Sequence, residues 1–241
     1  HNLRQIGLGL LVARSSRLPL FYRVYPGNIH DSRFFHSIMD EMFGLICGFH
    51  KTKQRLTVIF DKGMNSEHNF AWIDDHNRIH FITNYSTYFS EDLVLVPLDR
   101  FEIAETEKNQ NLLNNDKTDD CLLAYRTRGE YWGKERTVIV TYNPATARKQ
   151  SYTFDTKLNV LREELLVMRK KVREGDTHWR DQERIHERYF RLCEHLHISS
   201  DFYSVKISKW RNTLSMAFTK NIYLVEKKRQ CFGKNIIITD N

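Results

Sequence analysis

The sequence predicts an α/β fold in which helices pack against the faces of a sheet. Its first 85 residues show the order strand, strand, helix, strand, helix, strand, which is typical of an antiparallel hairpin followed by βαβ units. Hydrophobic residues make up 41% of the chain, with 10 Gly and 4 Pro, so it can bury a core and is not disordered or collagen-like. A length of 241 residues suits one large domain or two modest ones.

Composition also indicates the compartment. No apolar run approaches the roughly 18 residues that a membrane-spanning helix needs, and no signal peptide precedes the first segment. The four cysteines are widely scattered and form no CxxC pair, which argues against a disulfide scaffold or a Cys-rich zinc module. We therefore expect a chain with no membrane partner, in the reducing cytoplasm.

The N-terminal elements follow from apolar patterning and caps. Two apolar segments, Ile6–Ala13 and Leu18–Tyr25, are separated by a polar turn and predict an antiparallel hairpin. Asp31 or Ser32 can then cap a helix that runs to about Cys47.

A short buried strand, Leu56–Phe60, delivers Asp61 at its carboxyl end. Ser66 can cap a helix through about Asp75, and a further strand follows at His80–Tyr85. An aspartate at the carboxyl end of a central strand of an α/β sheet stands where ligand and metal sites form. The alternative is structural, because Asp-Lys-Gly is also ordinary turn chemistry.

The middle of the chain predicts strands and a helical hairpin. The predicted strands are Phe101–Glu105, Cys121–Thr127, Arg136–Tyr142, Gln150–Phe154, Phe202–Ile207, Ser215–Phe218, Ile222–Glu226 and Asn235–Thr239. A polar loop is expected at Lys108–Asp120, and helices at about 157–174 and 177–197. We expect this block to be a large β-rich insertion, containing the helical hairpin, between two strands of the first sheet.

Basic residues are concentrated near the carboxyl end. Between residues 206 and 241 only Glu226 and Asp240 oppose eight basic residues, although the net charge of the whole chain is only +7. The eight are Lys206, Lys209, Arg211, Lys220, Lys227, Lys228, Arg229 and Lys234. Such a stripe, with Trp210 and Tyr223 in it, suits phosphate contacts on a nucleic acid. The equally weighted alternative is the solvated outer face of a sheet.

Three motifs carry a family resemblance. They are GLGLLV at Gly7–Val12, the run Leu18–Asn28 followed by Asp31, and VIFDKGMNS at Val58–Ser66. In this order and spacing the chain resembles the DDE-class transposases of insertion sequences, in particular the IS-four-like group. The resemblance implies a partial ribonuclease H-like core at residues 1–90, an insertion subdomain at 91–232, and a strand returning to the core at 233–241.

The resemblance also implies a chemistry. In such enzymes three acidic side chains hold two divalent cations, Mg²⁺ or Mn²⁺, for cleavage and strand transfer at transposon ends. Asp61 matches the second acid and would be a catalytic metal ligand, while the first would precede His1. The third belongs to a Tyr-x2-Arg-x3-Glu-x6-Lys pattern that Tyr223 and Glu226 do not fit. We therefore expect an internal fragment that is inactive alone.

The implied partner is transposon-end DNA. Lys62 and the eight basic residues are the candidate DNA contacts, a homodimer is expected for the full-length enzyme, and the nucleoid is the expected location. The alternative to an enzyme fragment is a non-catalytic DNA-binding or interaction module derived from a transposase, in which Asp61 is merely structural.

Overall fold

The structure is a computed structural model that describes residues 6–29, 31–49, 56–211 and 213–241. Its strands are β1 (Ile6–Val12), β2 (Pro19–Pro26), β3 (Leu56–Phe60), β4 (Ile79–Tyr85), β5 (Glu102–Ile103), β6 (Leu123–Tyr131), β7 (Lys134–Tyr142), β8 (Tyr203–Trp210), β9 (Thr213–Lys220) and β10 (Lys234–Thr239). Its α-helices are α1 (Asp31–Phe49), α2 (Glu67–Asp75), α3 (Glu91–Val94), α4 (Glu107–Leu113), α5 (Pro144–Glu174), α6 (Gln182–Leu196) and α7 (Ile222–Gln230).

Contacts divide the chain into two compact units. The first contains the described residues up to Ser90, together with Tyr125–Val140 and Asn235–Asn241. The second contains Glu91–Ala124 and Thr141–Lys234. Residues 125–140 lie inside the span expected for the insertion, yet by contacts they group with the first unit.

A mixed sheet organises the first unit. The strand order of the whole sheet is β3-β4-β10-β7-β6-β5, with β3 parallel to β4 and β10 antiparallel to β4. The α2 helix makes the crossover between β3 and β4, as a parallel pair requires. Phe60, Phe70 and Phe81 fill the core beside this sheet, and Phe70 stacks on Trp132 with ring centroids 3.6 Å apart. The elements predicted for the first 85 residues are confirmed.

The two faces of the β1–β2 hairpin differ, because one contacts α1 and the other is apolar and exposed. On one side Tyr25 stacks on Phe34 of α1 with ring centroids 3.7 Å apart. On the other side apolar residues face each other across the strands, Leu8 opposite Val24 and Leu10 opposite Tyr22, and all four are exposed. A continuous apolar face of this kind is typical of a surface that another segment or molecule covers.

Helices dominate the second unit. The 31-residue α5 begins at the N-cap Asn143 and ends at Gly175, whose φ of 70° suits a left-handed helix C-cap. Its buried stripe packs against α6 and the β8–β9 hairpin. The stripe residues are Phe154, Leu158, Leu161, Leu165, Met168 and Val172. The predicted helical hairpin is present, and its first helix begins well before residue 157.

Three sequence predictions for this region are wrong. Gln150–Phe154 lies inside α5 and is not a strand. Ile222–Glu226 is the start of α7, because Asn221 accepts a hydrogen bond from the backbone N–H of Leu224 at 3.2 Å and caps a helix there. The loop expected at Lys108–Asp120 contains most of α4. The region is therefore less β-rich than expected.

No helix among the described residues combines the length and apolar character needed to cross a membrane.

Hydrogen bonds join the two ends of the long segment 143–233 in the second unit. The chain runs from β7 to β10, which are neighbours in the sheet, through residues 143–233. At the two ends of this segment the backbone N–H of Asn143 donates to the carbonyl of Gly233 at 2.8 Å. The N–H of Gly233 donates to Oε1 of Gln150, also at 2.8 Å. The first and last residues of the segment therefore lie next to each other.

Gly233 gives a stability prediction. Its φ is +72°, and a Cβ there would lie 2.6 Å from the carbonyl oxygen of Asn143 and 2.7 Å from Cβ of Ala147. Gly133 has a similar φ of +74° with nothing within 4 Å of its Cβ position. We expect Gly133→Ala to cost about 1–2 kcal/mol and Gly233→Ala at least about 1 kcal/mol more, because of overpacking. Urea unfolding of both variants checks this; equal losses would contradict it.

Candidate active site

Asp61 directly follows β3 and precedes a short 3₁₀ turn at Lys62–Met64. Because β3 and β4 are parallel, with Phe60 opposite Thr83, both strands end on the same side of the sheet. Asp61 lies at these carboxyl ends. The side chains of Asp61 and Lys62 are both exposed. A carboxylate in this position can reach a ligand from solvent.

One feature of this placement differs from the expectation. The sequence predicts that Asp61 follows a central strand, but β3 is the edge strand of the sheet within the described part of the chain. The β1–β2 hairpin forms its own two-stranded sheet. Strand order is set by long-range pairing, which the apolar pattern of Leu56–Phe60 does not encode.

A divalent metal ion requires several converging oxygen ligands. Across the described ranges no group of three His, Cys, Asp or Glu side chains is placed to hold a metal ion. Asp61 offers one carboxylate. The described residues therefore do not make a complete metal site by themselves.

Amide and hydroxyl groups surround the segment after Asp61. The backbone N–H of Met64 donates to the carbonyl of Asp61 at 3.0 Å. Asn65 donates through Nδ2 to the carbonyl of Asn84 at 2.9 Å and accepts from the hydroxyl of Thr83 at 2.8 Å. No site role for Asn65 or Thr83 was predicted from the sequence. The signal for one is the polar pair Thr83-Asn84 near the end of a strand parallel to the one before Asp61.

Five of the basic residues project into solvent. Lys206 and Lys209 are exposed on β8, and Arg211 lies in the turn to β9 with a φ of 55°. Lys220, at the end of β9, pairs with Tyr203 at the opposite end of the same hairpin. Lys228 is exposed on α7. The structure therefore brings Lys209 and Arg211 together at the tip of the β8–β9 hairpin, with Lys206 on the same strand.

The other three basic candidates are engaged within the second unit. Lys227 forms an ion pair with Glu91, and Arg229 pairs with Asp155 at 2.6 Å. The ammonium of Lys234 donates to the carbonyls of Val94 and Val96 at 2.5 and 2.7 Å, and burial lowers its pKa. These three cations already have partners.

The hairpin that carries the tip is anchored on one face. Met216 is buried against α5, and the guanidinium of Arg169 lies 5.2 Å from the ring centroid of Phe218. The opposite face carries hydroxyls, with the Oγ atoms of Ser208 and Ser215 2.7 Å apart. The outer face of the hairpin thus carries Lys206 beside these hydroxyls. Lys209, three residues further along β8 and opposite Leu214, lies on the other face, at the tip.

The mixed α/β sheet with a carboxylate at the end of a parallel strand is consistent with a ribonuclease H-like transposase domain. Residues 4–159 match the family model described as transposase DDE domain. The match covers more than half of the chain, which therefore belongs to the transposase DDE domain family. No curated protein and no solved structure matches the chain.

Family membership confirms the prediction that the chain is part of a DDE-class transposase. A transposase DDE domain has a transposition-related nuclease function and DNA as its substrate. Such domains generally use divalent metal ions. The match includes Asp61 and every element from β1 to β7.

Proposed function

We propose that this chain is an internal part of the catalytic domain of an insertion-sequence transposase of the IS-four-like group. The full enzyme cleaves phosphodiester bonds at transposon ends and transfers the strands. Asp61 is the second of its three acidic residues. The observation that supports this role is the position of Asp61, at the shared carboxyl edge of β3 and β4 inside the family match.

The role of Asp61 is to supply one hard oxygen ligand at a fixed strand end. Asp61 would hold Mg²⁺ or Mn²⁺ together with the other two acidic residues of the full-length enzyme. Ions held there would supply activation of the attacking oxygen and stabilisation of the leaving one. The first and third acidic residues come from outside residues 1–241, and the chain alone has little or no strand-transfer activity. The enzyme works on chromosomal DNA, at the nucleoid, and a homodimer is its expected form.

DNA contacts belong to the exposed basic residues, most of which lie in the second unit. Lys206, Lys209 and Arg211 are exposed on one hairpin, and no ion pair joins them to other described residues. Lys220 is exposed at the other end of the same hairpin and Lys228 on α7. In the first unit, Lys62 is exposed beside Asp61. Lys227, Arg229 and Lys234 contribute less, because their charges are already paired or buried.

This assignment predicts a salt effect. Each phosphate contact contributes roughly 0.9 to the slope of log affinity against log salt. We expect the triple variant Lys206→Ala, Lys209→Ala, Arg211→Ala to lower that slope by about 2 to 3, measured by fluorescence anisotropy on a transposon-end duplex. The control variant removes three exposed charges elsewhere in the second unit, at Lys108, Lys149 and Arg173. Equal slopes for the two variants would show a diffuse charge effect and contradict a hairpin site.

A second candidate function is a non-catalytic DNA-binding or interaction module derived from a transposase. The observation that favours it is the isolated carboxylate: within the described residues no metal-binding group of three forms at Asp61. The two candidates differ in the effect of replacing Asp61 in the full-length protein.

A further inference from the structure

Asn69 joins three segments around the Asp61 turn. It lies in the first turn of α2 and is 1% exposed. Its Nδ2 donates to the carbonyl of Ser32, in the first turn of α1, at 2.9 Å, and to the carbonyl of Met64 at 2.7 Å. Its backbone N–H donates to the hydroxyl of Ser66 at 3.2 Å. One buried amide therefore fixes the segment after Asp61 relative to α1 and α2.

Asn65 fixes the same segment from the other side. Its side chain bonds to the hydroxyl of Thr83 and the carbonyl of Asn84, both on β4. Thr83 is itself 1% exposed. The segment from Asp61 to Ser66 is thus tied to β4 through Asn65 and to both helices through Asn69.

The same arrangement of a helix N-cap and a buried asparagine occurs a second time in the chain. Asn109, also 1% exposed, donates through Nδ2 to the carbonyls of Ala104 and Leu122 at 2.7 and 2.8 Å. Its backbone N–H donates to the hydroxyl of Thr106, the N-cap of α4. In each case a Ser/Thr cap is followed three residues later by a buried Asn that bridges two carbonyls. Only the first copy lies next to the candidate catalytic carboxylate.

Buried amides of this kind act on geometry as well as stability. Nδ2 of Asn69 donates to two carbonyls, while its Oδ1 is buried without a hydrogen-bond partner among the described residues. A hydrogen-bonded amide in a low-dielectric interior holds one arrangement, and loss of Nδ2 removes a donor from both carbonyls. Groups that orient a functional side chain from behind commonly contribute 10- to 100-fold to activity. The turn held here begins at Asp61.

We propose that Asn69, together with Asn65, is a positioning residue for Asp61. The pair holds the 61–66 backbone so that the Asp61 carboxylate stays at the shared end of β3 and β4. This inference rests on the proposed function of Asp61, because a position matters only if the carboxylate acts.

The test compares Asn69→Ala with its matched control Asn109→Ala in the full-length transposase. We expect Asn109→Ala to lose at least as much thermal stability as Asn69→Ala. Both variants lose two bonds from Nδ2 to backbone carbonyls, and Asn109→Ala also loses the bond that Oδ1 accepts from the backbone N–H of Leu122. At a temperature where both are folded, only Asn69→Ala should lose kcat for end cleavage, by about 10- to 100-fold, with KM for DNA within about twofold. Equal kcat values for the two variants would overturn the proposal.

A second readout does not depend on activity. The backbone N–H groups of Met64 and Asn65 bond within the 3₁₀ turn, so their hydrogen exchange reports on its order. We expect exchange in residues 62–66 to accelerate in Asn69→Ala and to remain unchanged in Asn109→Ala. Unchanged exchange in both variants would contradict the positioning role.

Two further variants keep the outcomes separable. If Asn69→Ala does not fold, Thr83→Val removes the hydroxyl that binds Asn65 at nearly constant volume. Its control is Thr239→Val, which removes a buried hydroxyl that donates to Phe81 at 2.6 Å. Asp61→Asn is measured in the same assay. If it abolishes cleavage while the Asn69 and Thr83 variants match their controls, only this inference fails; if it retains cleavage, the proposed function fails.

Discussion

Replacing Asp61 by asparagine in the full-length transposase is expected to lower the rate of transposon-end cleavage by at least about 100-fold. Asparagine keeps the shape of the side chain but removes its negative charge, and a metal ligand of this kind is worth several kcal/mol in transition-state stabilisation. DNA affinity should stay within about twofold, because the basic residues that contact phosphate are unchanged. Single-turnover cleavage and a binding titration on the same duplex check both parts.

Asp75→Asn is the matched control for this experiment. Asp75 is an exposed aspartate of the first unit at the end of α2, and its replacement should leave cleavage unchanged. If Asp61→Asn cleaves as well as Asp75→Asn, Asp61 is structural and the non-catalytic module becomes the better description. Robust, Asp61-dependent cleavage by residues 1–241 alone would instead refute the proposal that the chain lacks part of its catalytic set.

Replacing Asp74 by alanine is expected to destabilise the first unit by about 3–5 kcal/mol. The guanidinium of Arg136 is 3% exposed and donates to Asp74 at 2.6 Å, while Lys134 lies 3.3 Å from the same carboxylate oxygen. Without Asp74 the buried charge of Arg136 loses its counterion, and its stacking over Phe81 at 5.1 Å compensates little of that cost. Denaturant unfolding measures the loss.

Two comparisons test the cause of this loss. Arg136→Met removes the buried charge itself, so we expect a smaller loss than for Asp74→Ala, and the double variant Asp74→Leu, Arg136→Met should recover part of the stability. Glu135→Ala breaks an exposed pair with Arg128, in which both side chains are about two-thirds exposed, and should cost less than about 1 kcal/mol. A loss from Asp74→Ala no larger than that from Glu135→Ala would contradict a buried ion pair.

The N-terminal elements could be predicted because their local signals agree with the fold. Ile79, Phe81 and Thr83 alternate inward along β4 and are buried. Ser66 caps α2 as expected, accepting the backbone N–H of Asn69. Where a strand pattern is followed by a helix N-cap, local sequence preferences are enough to predict both elements, because these preferences agree with the long-range contacts of the fold.

The segment before residue 155 shows why local propensity can mislead. Tyr152, Thr153 and Phe154 favour a strand, but they lie in a helix that begins earlier. Asn143 accepts the N–H of Thr146 at 3.0 Å and Pro144 occupies the first turn, which are strong helix-start signals. Asn-Pro also begins turns, and the choice depends on packing against the rest of the second unit.

The candidate site could be predicted only in part. Asp61 was found from its position after a strand, but its neighbours depend on strand order. Because β10 lies beside β4, the amide of Asn235 donates to Oδ1 of Asn84 at 3.2 Å, and no local pattern predicts this pairing. Likewise, sequence counts Lys227 and Lys206 as equal charges, although Glu91, remote in sequence, pairs only with the first.

The position of β10 has a consequence for synthesis of the protein. It is the last strand in the described chain, yet it lies between β4 and β7 in the sheet. While the chain emerges from the ribosome, one edge of β4 and one edge of β7 remain without this partner until the entire segment 143–233 has been made. Open strand edges can pair with other chains, and such long-range closure is slow. The yield of folded protein therefore depends on how well those two edges are shielded during translation.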